Sequence, residues 1–287
     1  MINLRYHIVS IVAVFLALGV GILLGSAVLS GALIDRLERD ISSAREARNE
    51  AQQQVDTLEG DLDRSGDLIE ALGPRVTESV LVGTQVVFVS GETESDWHAK
   101  VRKAITDAGA EDAGSIELTM KWALEKDVDR GELIEAFGDV TVSEAVPSED
   151  GALRLGELLA GDAGGLLSRL SDAGFVRAAP ADAGRGFPPF GVQVVVLTSS
   201  DQVPLSSLAA GASRVTGTLA VAGDIENLGA VRTLRERDDA TARLATFDSA
   251  DADPAGVGTV LALRAATDNT GGHFGRAPGL TYLPARP

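Results

Sequence analysis

Apolar and polar positions follow three successive patterns along this chain. Ile8 to Leu29 is an unbroken run of 22 uncharged, mostly apolar residues. A hydrocarbon core of roughly 30 Å takes about 20 residues at 1.5 Å rise each, so the run predicts a helix able to span a membrane. A cleaved secretory signal is the competing reading, but its apolar core is usually about 7–15 residues. Ala17, Gly21 and Gly25 fall four apart on one face of the predicted helix, a small-residue spacing that lets two helices approach closely in lipid.

Behind the span the period becomes 3.5. With Ile34 at position a, the a positions are Ile34, Ile41, Arg48, Val55, Leu62 and Ile69, and the d positions are Leu37, Ala44, Ala51, Leu58, Ser65 and Leu72. β-branched residues at a with leucine at d favour two parallel strands, so the pattern predicts a homodimeric coiled coil. Arg48 at a would meet its own copy, which costs stability and fixes register. The competing reading is one amphipathic helix packed on its own globular domain. A straight helix from Leu33 to Leu72 would be about 60 Å long, and Gly73-Pro74 is a stop signal for it.

Beyond residue 80 short buried-strand runs alternate with helical ones. Thr84–Ser90, Ser115–Met120, Val192–Thr198 and Thr218–Ala222 read as strands. Helices are expected from a Thr93 cap to about Ala108, over Ala152–Leu159 and Leu166–Ala173, and from Asp253-Pro254 to about Ala266. Ala178–Pro189 reads as a loop. The plan is therefore α/β: a flank over residues 1–7, a transmembrane helix over 8–30, a coiled coil over 33–72, and a mainly parallel-sheet, Rossmann-like domain over 80–287.

Composition narrows the function. With 42 acidic against 25 basic residues and net charge −17, the chain offers no nucleic-acid footprint. Without cysteine it has neither disulfides nor thiolate ligands. It lacks a phosphate-binding glycine motif, a G-x-S-x-G and an H-E-x-x-H, so no enzyme is expected. Gly223-Asp224 reads as a turn, and Asp238-Asp239 as solvated surface. The metal candidates are His98 beside Trp97, read as a surface residue at a helix start, Met120, and His273 in the glycine-rich loop Gly271–Gly275. They form no cluster at ligand spacing. Lys/Arg counts flanking the span leave its orientation open, because long domains translocate largely regardless of charge.

The opening Ile2-Asn3-Leu4-Arg5-Tyr6-His7-Ile8-Val9-Ser10 runs into AVFLALGVGILLGS. Near the other end stand Thr246-Phe247-Asp248, Gly256, TVLALRAA, Gly-Gly-His-Phe-Gly at 271–275 and Leu283-Pro284. Together these resemble the actinobacterial copper-transporter family of the copper transport protein B type. The resemblance implies copper homeostasis across the cell envelope, copper ion as cargo, and an extracytoplasmic C-terminal domain on a single-pass cell-membrane anchor. A SteB branch of that family implies the alternative: a cell-separation scaffold that binds a SteA-like membrane protein and regulates peptidoglycan hydrolysis.

Overall fold

The computed structural model describes residues 4–91, 95–161, 163–184, 186–188, 191–198, 203–237 and 241–284, with the side chains of 4, 5 and 26–34 left aside. It divides into two compact units, Met1–Ser65 and Gly66–Pro287. Helix α1 (Leu4–Thr77) supplies all the described residues of the first unit and the opening of the second. Tyr6–Gly25 is the stretch long and apolar enough to cross a membrane.

The second unit is an α/β fold around one seven-stranded sheet. Its strands are β1 (Gln85–Gly91), β2 (Glu111–Leu118), β3 (Val176–Pro180), β4 (Val192–Thr198), β5 (Thr218–Ala222), β6 (Leu244–Phe247) and β7 (His273–Phe274). They lie in the order β3-β2-β1-β4-β5-β6-β7. Among the described strand pairs, β2–β3 is antiparallel and the rest are parallel.

Strands buried on both faces must divide alternate residues between two cores. Val87, Val89, Val194, Val196 and Ala220 face a core with α3 (Asp127–Phe137), α4 (Pro147–Leu159), α5 (Gly164–Asp172), α6 (Leu205–Ser213) and α7 (Ala230–Arg235). Val86, Phe88, Val195, Leu197 and Leu219 face the other, with α2 (Asp96–Asp107) and α8 (Val257–Thr267). The result is a three-layer α/β/α sandwich. Helices α4 and α6 touch backbone to backbone: a side chain at Gly156 would strike the Leu208 carbonyl, and one at Gly211 the Leu153 carbonyl.

Several sequence expectations need correction. Helix α1 does not stop at Gly73-Pro74; it continues to Thr77 with Pro74 inside. Tertiary packing overrides the stop signal. A Cβ at Gly73 would lie 2.7 Å from Ala255 and 2.9 Å from Val257, so the bare glycine lets the helix seat on its own domain. Thr77 is buried there, its hydroxyl donating to the Gly73 carbonyl at 3.0 Å. The stretch Gly66–Thr77 of α1 falls in the second compact unit. Strand β2 lies earlier than Ser115–Met120, and Met120 opens a 3-10 turn (Met120–Ala123) instead. The stretch read as a loop from Ala178 contributes its first residues to the antiparallel edge strand β3. Thr93 lies outside the described residues, as do Asp238 and Asp239; Ser95 takes the N-cap position of α2.

Candidate functional site

The densest polar cluster joins the end of β6 to the last described residues. Asp248, fully buried directly after β6, receives four hydrogen bonds from described residues. Arg235 Nη1 donates to Oδ2 at 2.9 Å, Ser249 Oγ to Oδ1 at 2.7 Å, and the backbone N–H groups of Arg276 and Ala277 at 2.7 and 3.1 Å. Burial alone would raise the carboxyl's pKa; the donors outweigh it and hold the group below the ordinary aspartate value. Gly275, at φ +131°, passes so close that a side chain there would overlap the carboxylate. Arg235 uses its other nitrogens too, Nε on Thr246 Oγ1 at 3.0 Å and Nη2 on the Phe274 carbonyl at 2.9 Å.

His273 belongs to this cluster and is not in a free loop. It sits in β7, paired with Thr246 of β6, and its Nδ1 lies 3.0 Å from Thr246 Oγ1. With Arg235 donating to that hydroxyl, the hydroxyl's own proton is best placed on Nδ1, an assignment made from the hydrogen-bond pattern. Burial and the Arg235 charge both lower the imidazole pKa, so the ring is neutral.

A second carboxylate, Asp253, closes the same region. Its Oδ1 accepts from Gly258 N at 3.0 Å and its Oδ2 from Thr259 N at 2.8 Å, which caps α8 although that helix starts four residues later than Asp253. Tyr282 Oη reaches Oδ1 at 3.3 Å. Burial raises the Asp253 pKa against the pull of these donors. The Tyr282 phenol is pushed up by burial and then by the Asp253 charge. Residues 275–284 are thus pinned at two points by carboxylates 28 or 29 residues upstream of the groups they hold. The motif Thr246-Phe247-Asp248, the glycines at 271–275 and Leu283-Pro284 meet here because they build one latch.

The metal candidates are not brought together. Met120 follows β2 and His273 lies in β7. Five strand spacings of about 4.8 Å separate those two strands, roughly 24 Å. His98 is buried in the first turn of α2, on the face it shares with Val101 and Ile105, its ring edge-on to Trp97 at 4.2 Å. The surface reading of His98 is therefore corrected: the spacing 98, 101, 105 is one helix face turned to the sheet. Among the described residues no group of three or more His, Asp or Glu could hold a metal ion.

The sheet order reverses between β1 and β4, where α/β folds bind ligands beyond the strand ends. The loops leaving those ends, 92–94 and 199–202, lie outside the described residues. On the neighbouring rim Trp97 covers Gly223, which has no room for a side chain. Asp224 closes a turn onto Glu226 N and Asn227 N at 2.8 and 2.7 Å, and the Asn227 bond holds its carboxyl below the ordinary range.

In α1 the apolar heptad positions stay uncovered. Leu37, Ile41, Val55, Leu58, Leu62, Ile69 and Leu72 are between 41 and 70% exposed, and Ala44, Arg48 and Ala51 are exposed beside them. The Ile34 side chain is outside the described set. Ala17 and Gly21 are exposed on the apolar helix and Gly25 is half-exposed; neither glycine has a neighbour within 4 Å of where a Cβ would stand. Arg235 and the second anchor Tyr282 carried no sequence signal as site residues, and Asp248 stood out only within the Thr246-Phe247-Asp248 motif. They are distant in sequence and unremarkable singly.

A family model described as "Copper transport outer membrane protein, MctB" matches residues 1–284. Among characterised relatives, the copper transporter MctB of Mycobacterium tuberculosis (strain H37Rv) is 28% identical over 306 aligned positions, covering 96% of this chain and 95% of the relative. That of Mycobacterium bovis matches equally. The copper transporter MctB of Mycobacterium leprae is 33% identical over 131 positions, 42% of this chain and 39% of the relative.

Proposed function

We propose, from the premise that this chain belongs to the MctB family of copper transport proteins, that it serves copper homeostasis as a single-pass, non-enzymatic membrane protein. In this reading two copies pair in parallel along the α1 heptads and present their α/β domains outside the cytoplasm. The observation that carries it is the uncovered apolar stripe. Seven large aliphatic side chains at the a and d positions from Leu37 to Leu72 lie open in a single chain. Covering the exposed half of each is worth about 1 kcal/mol, on the order of 7 kcal/mol per chain. That offsets a good part of the association cost and the Arg48–Arg48 encounter.

Copper is cargo here, and the dimer a docking element in its handling rather than the conduit. Two spans are too few to enclose a pore, and His98, His273 and Met120 stand on separate elements. The same separation favours a second reading, a SteB-like scaffold that engages a SteA-like membrane partner in cell separation. Deletion strains distinguish the two by copper sensitivity against chained, unseparated cells. For the dimer itself, full-length protein in detergent is compared with a Leu58→Asp, Leu62→Asp variant by light scattering. The parent is expected as a dimer and the variant as a monomer with an unchanged thermal melt; a monomeric parent would sink the reading. A reporter fused to the C-terminus tests the topology.

A further inference from the structure

Within the second unit an apolar groove of about 680 Å³ runs along the end of α1. Leu68, Ile69, Leu72 and Val76 line it from α1, and Val257 and Leu261 of α8, with Tyr282 and Leu283, line it from the domain. Leu72, Val76 and Leu283 are 45, 52 and 39% exposed.

The heptad register says what fills it. Continued past Ile69, the register puts Leu72 at d and Val76 at a, so the groove wall is the last stretch of the seam itself. Gly66 and Gly73 occupy the two e positions of this stretch, and Gly73 is where α1 seats on Ala255 and Val257. In a parallel coil the g residue of one helix falls beside e of its partner. Here e is already occupied by the helix's own domain, so a partner's g side chain must land on α8. The g residue concerned is Leu68, an apolar residue at a position usually charged, and it is 59% exposed.

We infer that each groove receives the second copy's α1, with Leu68 of that copy seated against α8, so that the foot of the coil is a symmetric four-helix contact between two α1 and two α8 helices. This rests on the parallel dimer proposed above and goes beyond it. It makes α8 and the C-terminal segment part of the interface, and it makes the contact isologous: two identical grooves filled by two identical helix ends. It also gives Gly73 a second role, since any side chain there would push α8 off the seam and open the groove.

The chain has no cysteine, which makes crosslinking clean. Two differently tagged full-length chains, one carrying Leu68→Cys and the other Leu261→Cys, are co-expressed in membranes and treated with a short bismaleimide. A band with both tags can arise only between subunits. Within a preformed contact the effective thiol concentration is in the mM range, so the doubly tagged band is expected about tenfold or more above a control pairing Leu68→Cys with Ile225→Cys on an exposed turn. Leu283→Cys replaces Leu261→Cys should the latter fail to accumulate. Leu58→Cys, crosslinking to its own copy, reports the dimer independently. If Leu58→Cys crosslinks but the Leu68–Leu261 pair stays at control level, the dimer stands and the groove proposal falls; the groove then belongs to another occupant. If neither crosslinks, both fail. A Leu68–Leu261 band without a Leu58 band supports the groove and overturns the coil.

Discussion

Asp248 offers the sharpest perturbation in the domain. Asp248→Ala deletes a fully buried carboxylate and strands three kinds of donor at once: the Arg235 guanidinium, whose side chain is 13% exposed, the Ser249 hydroxyl, and the N–H groups of Arg276 and Ala277. Removing one partner of a buried ion pair typically costs about 3–5 kcal/mol, because the remaining charge is left largely out of water without its counter-charge. For a domain of this size about 1 kcal/mol moves Tm by roughly 2–4 °C, so the expected loss is on the order of 6–20 °C. The assay is a thermal melt of full-length protein in detergent, followed by fluorescence of Trp97 and Trp122. Adding Arg235→Ala should restore about 1–2 kcal/mol of the loss, since the uncompensated guanidinium goes with it. The pH dependence has a definite sign. Folding lowers the Asp248 pKa, so its contribution is present above the ordinary value of 3.8 and is lost as pH falls through the folded value. The single variant should lack that acid-side loss. A melt within about 1 °C of the parent would refute the latch, given the size of the expected shift.

Asp253 should behave oppositely. Its folded pKa is raised, so its contribution is present below 3.8 and declines as pH rises through the folded value. Asp253→Asn keeps one oxygen acceptor for the first turn of α8 and should flatten the decline in stability above pH 3.8, measured by urea unfolding at several pH values; an unchanged profile counts against the assignment. Gly211→Ala should destabilise by about 1–3 kcal/mol, because its side chain meets the Leu153 carbonyl. Gly131→Ala, in α3 with nothing within 4 Å, should stabilise by up to about 1 kcal/mol; equal melts for the two would contradict the α4–α6 packing. Replacing His98, His273 and Met120 together should leave copper affinity of the full chain, read by titration calorimetry, unaltered, and a lost site would show that they converge in the assembled protein.

What the sequence reveals depends on how local the cause is. Strands β1, β4 and β5 are legible because both faces are buried, which leaves continuous apolar runs. Helix α3 is not, because its charges are spread around its circumference, and even Asp129 is buried. Strand β3 hides as a loop: its alternate residues Arg177 and Ala179 lie exposed on a sheet edge, with Pro180 at its end. Strand β7 is two residues among glycines and exists through its pairing with β6 and the Arg235 bond to Phe274. The α2 face at 98, 101 and 105 was there to be read, although a histidine beside tryptophan looks like surface. The latch was beyond reach, since Arg235, Asp248 and Arg276 meet across 13 and 28 positions. The apolar stretch Tyr6–Gly25 and the spacing of apolar residues behind it, by contrast, are local patterns that can be read without knowledge of the fold.

The latch sets a clock on synthesis. Asp248 is made early enough to be followed by the whole of α8, yet two of its four donors are the backbone of residues 276 and 277. At about 5–20 residues per second, the carboxylate waits one to several seconds with only Arg235 and Ser249 to satisfy it. During that interval β6 lacks the neighbour that covers its outer edge, because β7 has yet to arrive. A ribosome that stalls in this stretch, or a protease that trims it, would release a chain with an open sheet edge and a half-solvated buried charge.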